Sequence, residues 1–257
     1  MSVSALSRRK NSLKILLMTF CIAIQVRQGI LALADTEIVK GEERVTRSKL
    51  SLVPVGNHSW WIMTSGLRSI RDKAITYLQQ ELSNEANQDQ QLFELANRFG
   101  NALRRVRKED GESLSMSGLA FNSHAILGGQ LQGDPQPKLY YIYPEGNWIE
   151  ATPDTPYFIV GRTHYAKPIL DRLLTFETSL RHAASLAFLA FDMTRTSVYD
   201  VDFPIDFLLS SAEHRVTRQH RYQRADLEKV SSWWNETLSE ALRHFPSECF
   251  AELYSVD

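Results

Sequence analysis

The order of strand-like and helix-like periodicities along the 257 residues is what most constrains the fold of this chain. Residues that alternate between apolar and polar or small side chains predict a strand at Phe20–Val26, and a second apolar run predicts another at Ile30–Ala34, with a turn between them. A second strand pair is predicted at residues 50–55 and 59–64. Further strands are predicted at 119–127, 138–143, 148–151, 157–160 and 204–209, and helices at 67–78, 92–106, 166–174, 179–191 and 227–245.

This order of elements predicts an α+β protein of layered architecture. Paired helices follow each block of strands, so we expect the helices to form outer layers around sheets that bury their inner faces against each other. No linker rich in Pro or Ser divides the blocks, which favours one domain. Trp60 and Trp61 alternate between the faces of their strand, so we expect at most one of them to belong to the core.

Composition excludes several classes of function. The formal net charge of −1 provides no electrostatic footprint for nucleic acid, and no long basic amphipathic face indicates a membrane surface. Two cysteines, Cys21 and Cys249, form neither a disulfide framework nor a metal-binding pattern, which favours a reducing compartment. The basic segment from His214 to Arg224 lacks cysteines and a metal-ligand spacing, so we interpret it as a surface or subunit-contact segment.

The dipeptide Met18-Thr19 supports two interpretations of the start of the chain. A chain beginning at Thr19 would carry a hydroxyl and a free α-amine on one residue, which makes threonine a self-activated nucleophile. Alternatively, residues 1–34 are a secretory signal, with a basic segment, an apolar stretch and a small-residue cleavage site at Ala32-Leu33-Ala34. Gln25, Arg27 and Gln28 interrupt that apolar stretch and fit a strand pair instead.

Three long runs of residues carry a resemblance to a known family. They are His124 to Gln130, Tyr143 to Phe158 and Lys167 to Arg172, and Met18-Thr19-Phe20-Cys21 matches the usual family opening. On these residues the chain resembles the ancestral β-subunit (Anbu) family of bacterial proteasome-like proteins, within the N-terminal-nucleophile (Ntn) hydrolase superfamily. The resemblance runs from Met18 to the C-terminal helix, and Met1–Leu17 has no counterpart. It implies a leader at 1–17 and a single proteasome-type domain at 18–257.

The resemblance implies a fold, an assembly and an activity. The fold is a four-layer αββα sandwich, and identical subunits form a ring or an open helical ring. The activity is that of a cytoplasmic threonine-type endopeptidase that cleaves peptides without a metal or organic cofactor. The substrate peptides, the number of subunits and any unfoldase partner are not implied.

The resemblance also assigns site residues. Thr19 is the nucleophile, while Lys49 and Asp35 tune its pKa and orientation. Gly66 contributes a backbone N–H to the oxyanion, although Ser65 could alternatively cap the following helix. Asp192 and Ser197 align loosely with an acid and a hydroxyl that support the amine of the nucleophile.

Two departures from the family pattern leave the activity open. Glu37 stands where relatives often have arginine, and Gly161-Arg162-Thr163 replaces the Gly-Ser-Gly found in proteasomal subunits. Two alternatives therefore accompany the hydrolase. One is a catalytically inert assembly protein on the same fold, favoured if the leader is retained, because an acylated Thr19 nitrogen is not a base. The other is an exported binding protein that begins after Ala34.

Overall fold

The computed structural model describes residues 19–40, 43–55, 58–84, 90–214 and 216–254. The predicted leader and Met18 lie outside these residues. The strands of the described part are, in chain order, β1 Phe20–Val26, β2 Gly29–Asp35, β3 Glu37–Lys40, β4 Glu43–Thr46, β5 Leu50–Val55, β6 His58–Gly66, β7 Ser123–Gln130, β8 Lys138–Ile142, β9 Trp148–Glu150, β10 Tyr157–Gly161, β11 Ile205–Ser211 and β12 Thr217–Tyr222.

The helices complete the set of elements. They are α1 Arg68–Asn84, α2 Leu92–Met116, α3 Lys167–Leu173, α4 Leu180–Arg195, α5 Arg224–Arg243 and the short α6 Ala251–Tyr254, which follows a 3₁₀ turn at Ser247–Phe250. None of these helices combines the length and the apolarity that crossing a bilayer requires.

Two five-stranded antiparallel sheets form the centre of the molecule. The first has the strand order β10-β1-β2-β11-β12, and the second has the order β5-β6-β7-β8-β9. Strands β3 and β4 pair with each other as a separate hairpin. The pairing of β1 with β2 and of β2 with β11 places the carboxyl end of β2 beside the start of β1 and the start of β11.

Three apolar cores separate four layers. One core lies between the first sheet and the helices α3, α4 and α5. A second lies between the second sheet and the pair α1 and α2. The third lies between the two sheets, where Cys21, Ala32, Trp61 and Met63 meet. The arrangement confirms the predicted α+β class and the four-layer αββα architecture.

The structure also corrects several expectations. Trp60 and Trp61 are both buried, since helices cover one face of β6 and the first sheet covers the other. Ser65 is a strand residue and not a helix cap, because β6 continues to Gly66 and α1 begins at Arg68. Part of the basic segment, Thr217–Tyr222, is the edge strand β12, which was not predicted as a strand but is mostly exposed, as a surface segment should be. The hairpin β3–β4 was not predicted from the sequence.

Candidate active site

Thr19 and Asp35 are neighbours because β1 and β2 pair antiparallel. Cys21 lies opposite Ala34 in this ladder, so the residue at the end of β2 comes beside the residue at the start of β1. The Phe20 N–H donates a hydrogen bond of 2.7 Å to Asp35 Oδ1. Thr19 Oγ1 lies 3.5 Å from the same oxygen, at the outer limit of a hydrogen bond.

Lys49, the residue before β5 of the second sheet, completes this cluster. Its Nζ lies 2.6 Å from Asp35 Oδ2 and donates a second bond of 2.9 Å to the Glu37 carbonyl oxygen. The side chains of Lys49 and Asp35 are only 5% and 0% exposed, so water screens their attraction little. Asp35 thus contacts both of the other residues that the resemblance assigned to the site, Thr19 16 residues before it and Lys49 14 residues after it.

The protonation of Asp35 reflects two opposing effects. Burial raises the pKa of the Asp35 carboxyl to about 6, while the Lys49 ammonium and the Phe20 N–H act in the opposite direction. A carboxyl with this pKa is mainly ionised at neutral pH, where it forms an ion pair with Lys49. The nearby thiol differs, because burial raises the pKa of Cys21 to about 12. Cys21 is therefore a poor rival nucleophile.

The end of β10 holds the backbone of Thr19. The Arg162 N–H donates a hydrogen bond of 2.9 Å to the Thr19 carbonyl oxygen. Gly161 has a φ of +97°, and a Cβ at this position would lie 1.9 Å from the same oxygen. Only glycine therefore permits this close approach between β10 and the start of β1. Thr19 itself is buried, with 4% of its surface exposed.

An ion pair anchors Arg162 beside Thr19. Its Nη2 lies 2.5 Å from Asp200 Oδ2, and its Nε lies 3.2 Å from the same oxygen. The carboxylate of Asp200 is fully buried, and the Arg162 side chain is 23% exposed. This pair was missed at the sequence level. Its signal was the replacement of a small hydroxyl residue by Arg162, since a partly buried guanidinium favours a carboxylate partner.

Gly66 lies at the transition from β6 to α1. Its φ is +115°, and a Cβ would lie 2.2 Å from the Asn122 carbonyl oxygen, so the position requires glycine. The neighbouring Lys49 carbonyl accepts a hydrogen bond of 3.3 Å from the Thr64 N–H. Gly66 thus lies two residues after Thr64, the residue whose N–H binds the Lys49 carbonyl oxygen.

The structure gives Asp192 and Ser197 other partners. Asp192 is buried, and its Oδ1 accepts hydrogen bonds of 2.8 Å from both Arg195 Nε and Ser231 Oγ. This network joins α4 to α5. Ser197 Oγ donates to the Met193 carbonyl oxygen at 2.9 Å. Among the hydrogen bonds of the described residues, none joins either side chain to Thr19.

Two further features bear on ligands. The described residues contain no group of three or more His, Cys, Asp and Glu side chains that could hold a metal ion. A groove of about 850 Å³ lies between α4, β11, β12 and α5, and the predicted site residues do not line it. The candidate site is therefore defined by Thr19, Asp35 and Lys49 and not by this groove.

The side chains of this site carry functional groups that acyl transfer uses. Thr19 supplies a hydroxyl, Lys49 supplies a fixed positive charge, and Asp35 holds that charge in place. A hydroxyl beside an ammonium is easier to deprotonate, because the charge stabilises the anion. The remaining requirement is a base, which the α-amine of Thr19 provides only when no residue precedes it.

Comparisons with known proteins identify the same fold. No protein-family model and no curated protein sequence matches the chain. Several solved structures match over most of its length. Anbu from Hyphomicrobium sp. strain MC1 is 30% identical, with 88% of this chain and 98% of that chain covered and a TM-score of 0.79.

Two structures from other organisms agree with this match. Anbu from Yersinia bercovieri is 27% identical, with coverage of 89% and 98% and a TM-score of 0.81. A helical assembly of the Anbu complex from Pseudomonas aeruginosa is 28% identical, with the same coverage and TM-score. The shared fold, the near-complete coverage and an identity of 30% show that this chain belongs to the Anbu (ancestral β-subunit) family.

Proposed function

We propose that this protein is a threonine-type peptidase in which Thr19, as the first residue of the mature chain, is the nucleophile. The observation that carries this proposal is the buried cluster of Thr19, Asp35 and Lys49. A lysine ammonium and a carboxylate are costly to bury, and the carboxylate that holds this ammonium also lies 3.5 Å from the Thr19 hydroxyl, which supports a role in acyl transfer.

The proposed reaction has two halves. The α-amine of Thr19 takes the proton of its own hydroxyl, and Oγ1 attacks the carbonyl carbon of a peptide bond. The Gly66 N–H stabilises the oxyanion, the leaving amine takes the proton, and an ester forms at Thr19. Water, activated by the same amine, then hydrolyses the ester and restores the free hydroxyl. Lys49 lowers the pKa of the hydroxyl, and Asp35 keeps Lys49 oriented.

Arg162 and Asp200 modify this scheme. Proteasomal subunits carry a small hydroxyl where this chain has Arg162, whose backbone N–H binds the Thr19 carbonyl oxygen and whose guanidinium pairs with the buried Asp200. We expect Arg162 to contribute by holding the backbone of Thr19 in place. Asp192 and Ser197 have no part in the proposed mechanism, because their hydrogen bonds lie within α4 and α5.

The second candidate is an inert assembly protein on the same fold. The specific observation in its favour is the residue before Thr19, since in the full chain Met18 makes the Thr19 nitrogen an amide. An amide nitrogen is not a base. The exported alternative, which begins after Ala34, would discard β1 and most of β2 from the centre of the first sheet.

We also expect the protein to assemble with itself and to act in the cytoplasm. A relative from Pseudomonas aeruginosa forms a helical assembly, and α5 together with the residues after it exposes Leu238, Leu242 and Phe245. Exposed apolar side chains in such density favour contact with another copy. The two free cysteines fit a reducing compartment.

Peptide hydrolysis by two forms of the chain tests the proposal. One form begins at Met1, and the other is produced so that Thr19 is its first residue, which intact mass verifies. We expect a panel of fluorogenic peptides to be cleaved only by the second form. Thr19→Ala should lower this activity at least about a thousandfold, whereas Thr237→Ala on the surface of α5 should not change it. Equal activity of Thr19→Ala and the parent would contradict the mechanism.

A further inference from the structure

A second buried carboxylate lies beside the candidate site and has no role in the mechanism above. Asp206 in β11 is 1% exposed, and it faces Arg221 across the ladder between β11 and β12. Arg221 Nε and Nη2 lie 2.7 and 2.9 Å from the two carboxylate oxygens. Arg221 belongs to the basic segment that the sequence left without a specific function, so this part of the segment points towards the sheet.

The same carboxylate reaches the opposite sheet through Ser48. Ser48 Oγ donates a hydrogen bond of 2.6 Å to Asp206 Oδ2 and accepts one of 3.2 Å from the Leu50 N–H. The Leu50 carbonyl oxygen, 2.7 Å away, is a second acceptor for the hydroxyl proton. Ser48 directly precedes Lys49. Asp206 therefore links the first sheet to the residue next to the lysine of the candidate site.

The backbone around Lys49 is held from several directions. The Arg47 N–H donates a hydrogen bond of 2.7 Å to the Thr36 carbonyl oxygen, and the Lys49 carbonyl oxygen accepts a hydrogen bond from the Thr64 N–H. Asp206 lies opposite Ala34 in the ladder between β11 and β2, one residue from Asp35. Two neighbouring carboxylates thus act on adjacent residues. Asp35 binds the Lys49 ammonium, and Asp206 binds the side chain of the residue before it.

We propose that Asp206 is a positioning residue for Lys49, which it holds through Ser48, with Arg221 as its counter-ion. The catalytic meaning of this inference rests on the proposed function, whereas the positioning of Lys49 does not. Asp35 and Asp206 have different roles because they contact different groups: Asp35 binds the Lys49 ammonium, and Asp206 binds Ser48. Asp206 does not touch Thr19 or the Lys49 ammonium, so it acts on the reaction only through the position of the lysine.

Burial of Asp206 is costly unless all its oxygens are satisfied. Arg221 satisfies both oxygens, and Ser48, two residues before β5 of the second sheet, adds a third bond. Arg221 alone neutralises the charge of Asp206, so the hydrogen bond from Ser48 is not needed for that purpose. Replacement of Ser48, which is exposed, removes its hydrogen bond to Asp206 and leaves the ion pair between Asp206 and Arg221 in place. Such a variant therefore tests the link between Asp206 and Lys49 alone.

Acetylation of lysines in the full chain, followed by mass spectrometry, tests the proposal. Lys49 is buried and should react slowly, while Lys138, which pairs with Glu150 and is 22% exposed, serves as the internal reference. We expect Ser48→Ala to raise the rate at Lys49 about tenfold relative to Lys138, because a charge-assisted hydrogen bond is lost. Ser48→Thr keeps the hydroxyl and should retain the slow rate. Ser51→Ala, on the exposed side of β5, is the matched control and should not change it.

Asp206→Asn provides a second variant, which should raise the Lys49 rate in the same direction as Ser48→Ala. Unchanged Lys49 rates in both variants would overturn the proposal, as would a parallel rise at Lys49 and Lys138, which indicates general loosening. If the mature chain hydrolyses peptides, Ser48→Ala should lower kcat and leave KM unchanged. A wild-type mature chain, beginning at Thr19, that hydrolyses nothing would refute the proposed function, while the acetylation rates would still decide the positioning of Lys49.

Discussion

Asp35 is the residue on which the geometry of the candidate site depends most. Its two oxygens face Thr19, the Phe20 N–H and the Lys49 ammonium, and no part of the side chain is exposed. Because burial outweighs the effect of Lys49 and raises the pKa of Asp35 to about 6, Asp35 changes its charge closer to neutral pH than a surface carboxyl does.

The first prediction concerns the pH dependence of stability. Burial raises the pKa of Asp35 from 3.8 to about 6, so the folded chain binds a proton more tightly than the unfolded chain. The resulting stability is present below about pH 4 and is lost as the pH rises through about 6. The free energy of unfolding of the wild type relative to Asp35→Asn, measured in urea, should therefore fall on the order of 3 kcal/mol from pH 4 to pH 7.

The control for this prediction is Asp154→Asn, which removes an exposed carboxyl from a loop. Its free energy of unfolding should follow that of the wild type at every pH. A difference between the wild type and Asp35→Asn that stays constant or grows with pH would show that burial does not raise the pKa of Asp35.

Of the positions that the family resemblance named, the structure brings Asp35 and Lys49 together but gives Asp192 and Ser197 other partners, and contacts between distant residues were not predicted. Asp35 and Lys49 form the expected pair. Arg162 was noticed only as a missing hydroxyl, because nothing in the spacing reveals that Asp200, 38 residues later, folds back onto it. Ser48 and Asp206 lie 158 residues apart, and their hydrogen bond exists only after the two sheets pack.

At the scale of elements, the strands that carry the nucleophile were predictable because both are strongly apolar. Every residue of β1 and β2 is buried, and the register between them brings Asp35 to Thr19. Strand β12 was not predicted, since its sequence Thr-Arg-Gln-His-Arg-Tyr is polar throughout. An edge strand of this kind exposes most of its side chains and therefore shows no apolar alternation.

The second prediction tests the contact between β10 and the start of β1. Gly161→Ala places a methyl group 1.9 Å from the Thr19 carbonyl oxygen at a φ of +97°. We expect the free energy of unfolding in urea to fall by about 2 to 3 kcal/mol, because the strand end must shift or remain strained. The shift should also lower any activity of the mature chain, since Arg162 would no longer hold Thr19.

The matched substitution for this prediction is Gly111→Ala in the middle of α2, where the nearest atom to a new Cβ is Arg107 Cγ at 3.5 Å. Alanine is a better helix former, so the free energy of unfolding should rise by about 0.5 to 1 kcal/mol. Equal effects of the two substitutions would contradict the close packing of β10 against Thr19.

At the scale of the whole molecule, the four layers cover both sheets but leave the C-terminal part exposed. Helix α5 packs on the core through Leu227, Val230 and Trp234, while Leu238 and Leu242 further along have no core beneath them. An apolar stripe that continues beyond its own core indicates contact with another molecule.

The third prediction concerns this stripe. Light scattering of the full chain should give a mass that is a multiple of 29.4 kDa and that falls on dilution. Leu242→Glu places a charge in the stripe and should lower the mass at equal concentration. Met116→Glu, at an equally exposed apolar residue at the end of α2, should not. A wild-type mass of one subunit at all concentrations would contradict self-assembly of this chain.

The most direct test of the central claim is the attachment of a peptide β-lactone to the mature chain. The lactone acylates a nucleophile with ring opening and adds its full mass, and peptide mapping then locates the adduct. We predict one adduct, at Thr19, in the chain that begins with Thr19, and none in the chain that begins at Met1 or in Lys49→Met. Modification of the Met1 form at the same rate, or an adduct elsewhere, would contradict an N-terminal threonine nucleophile.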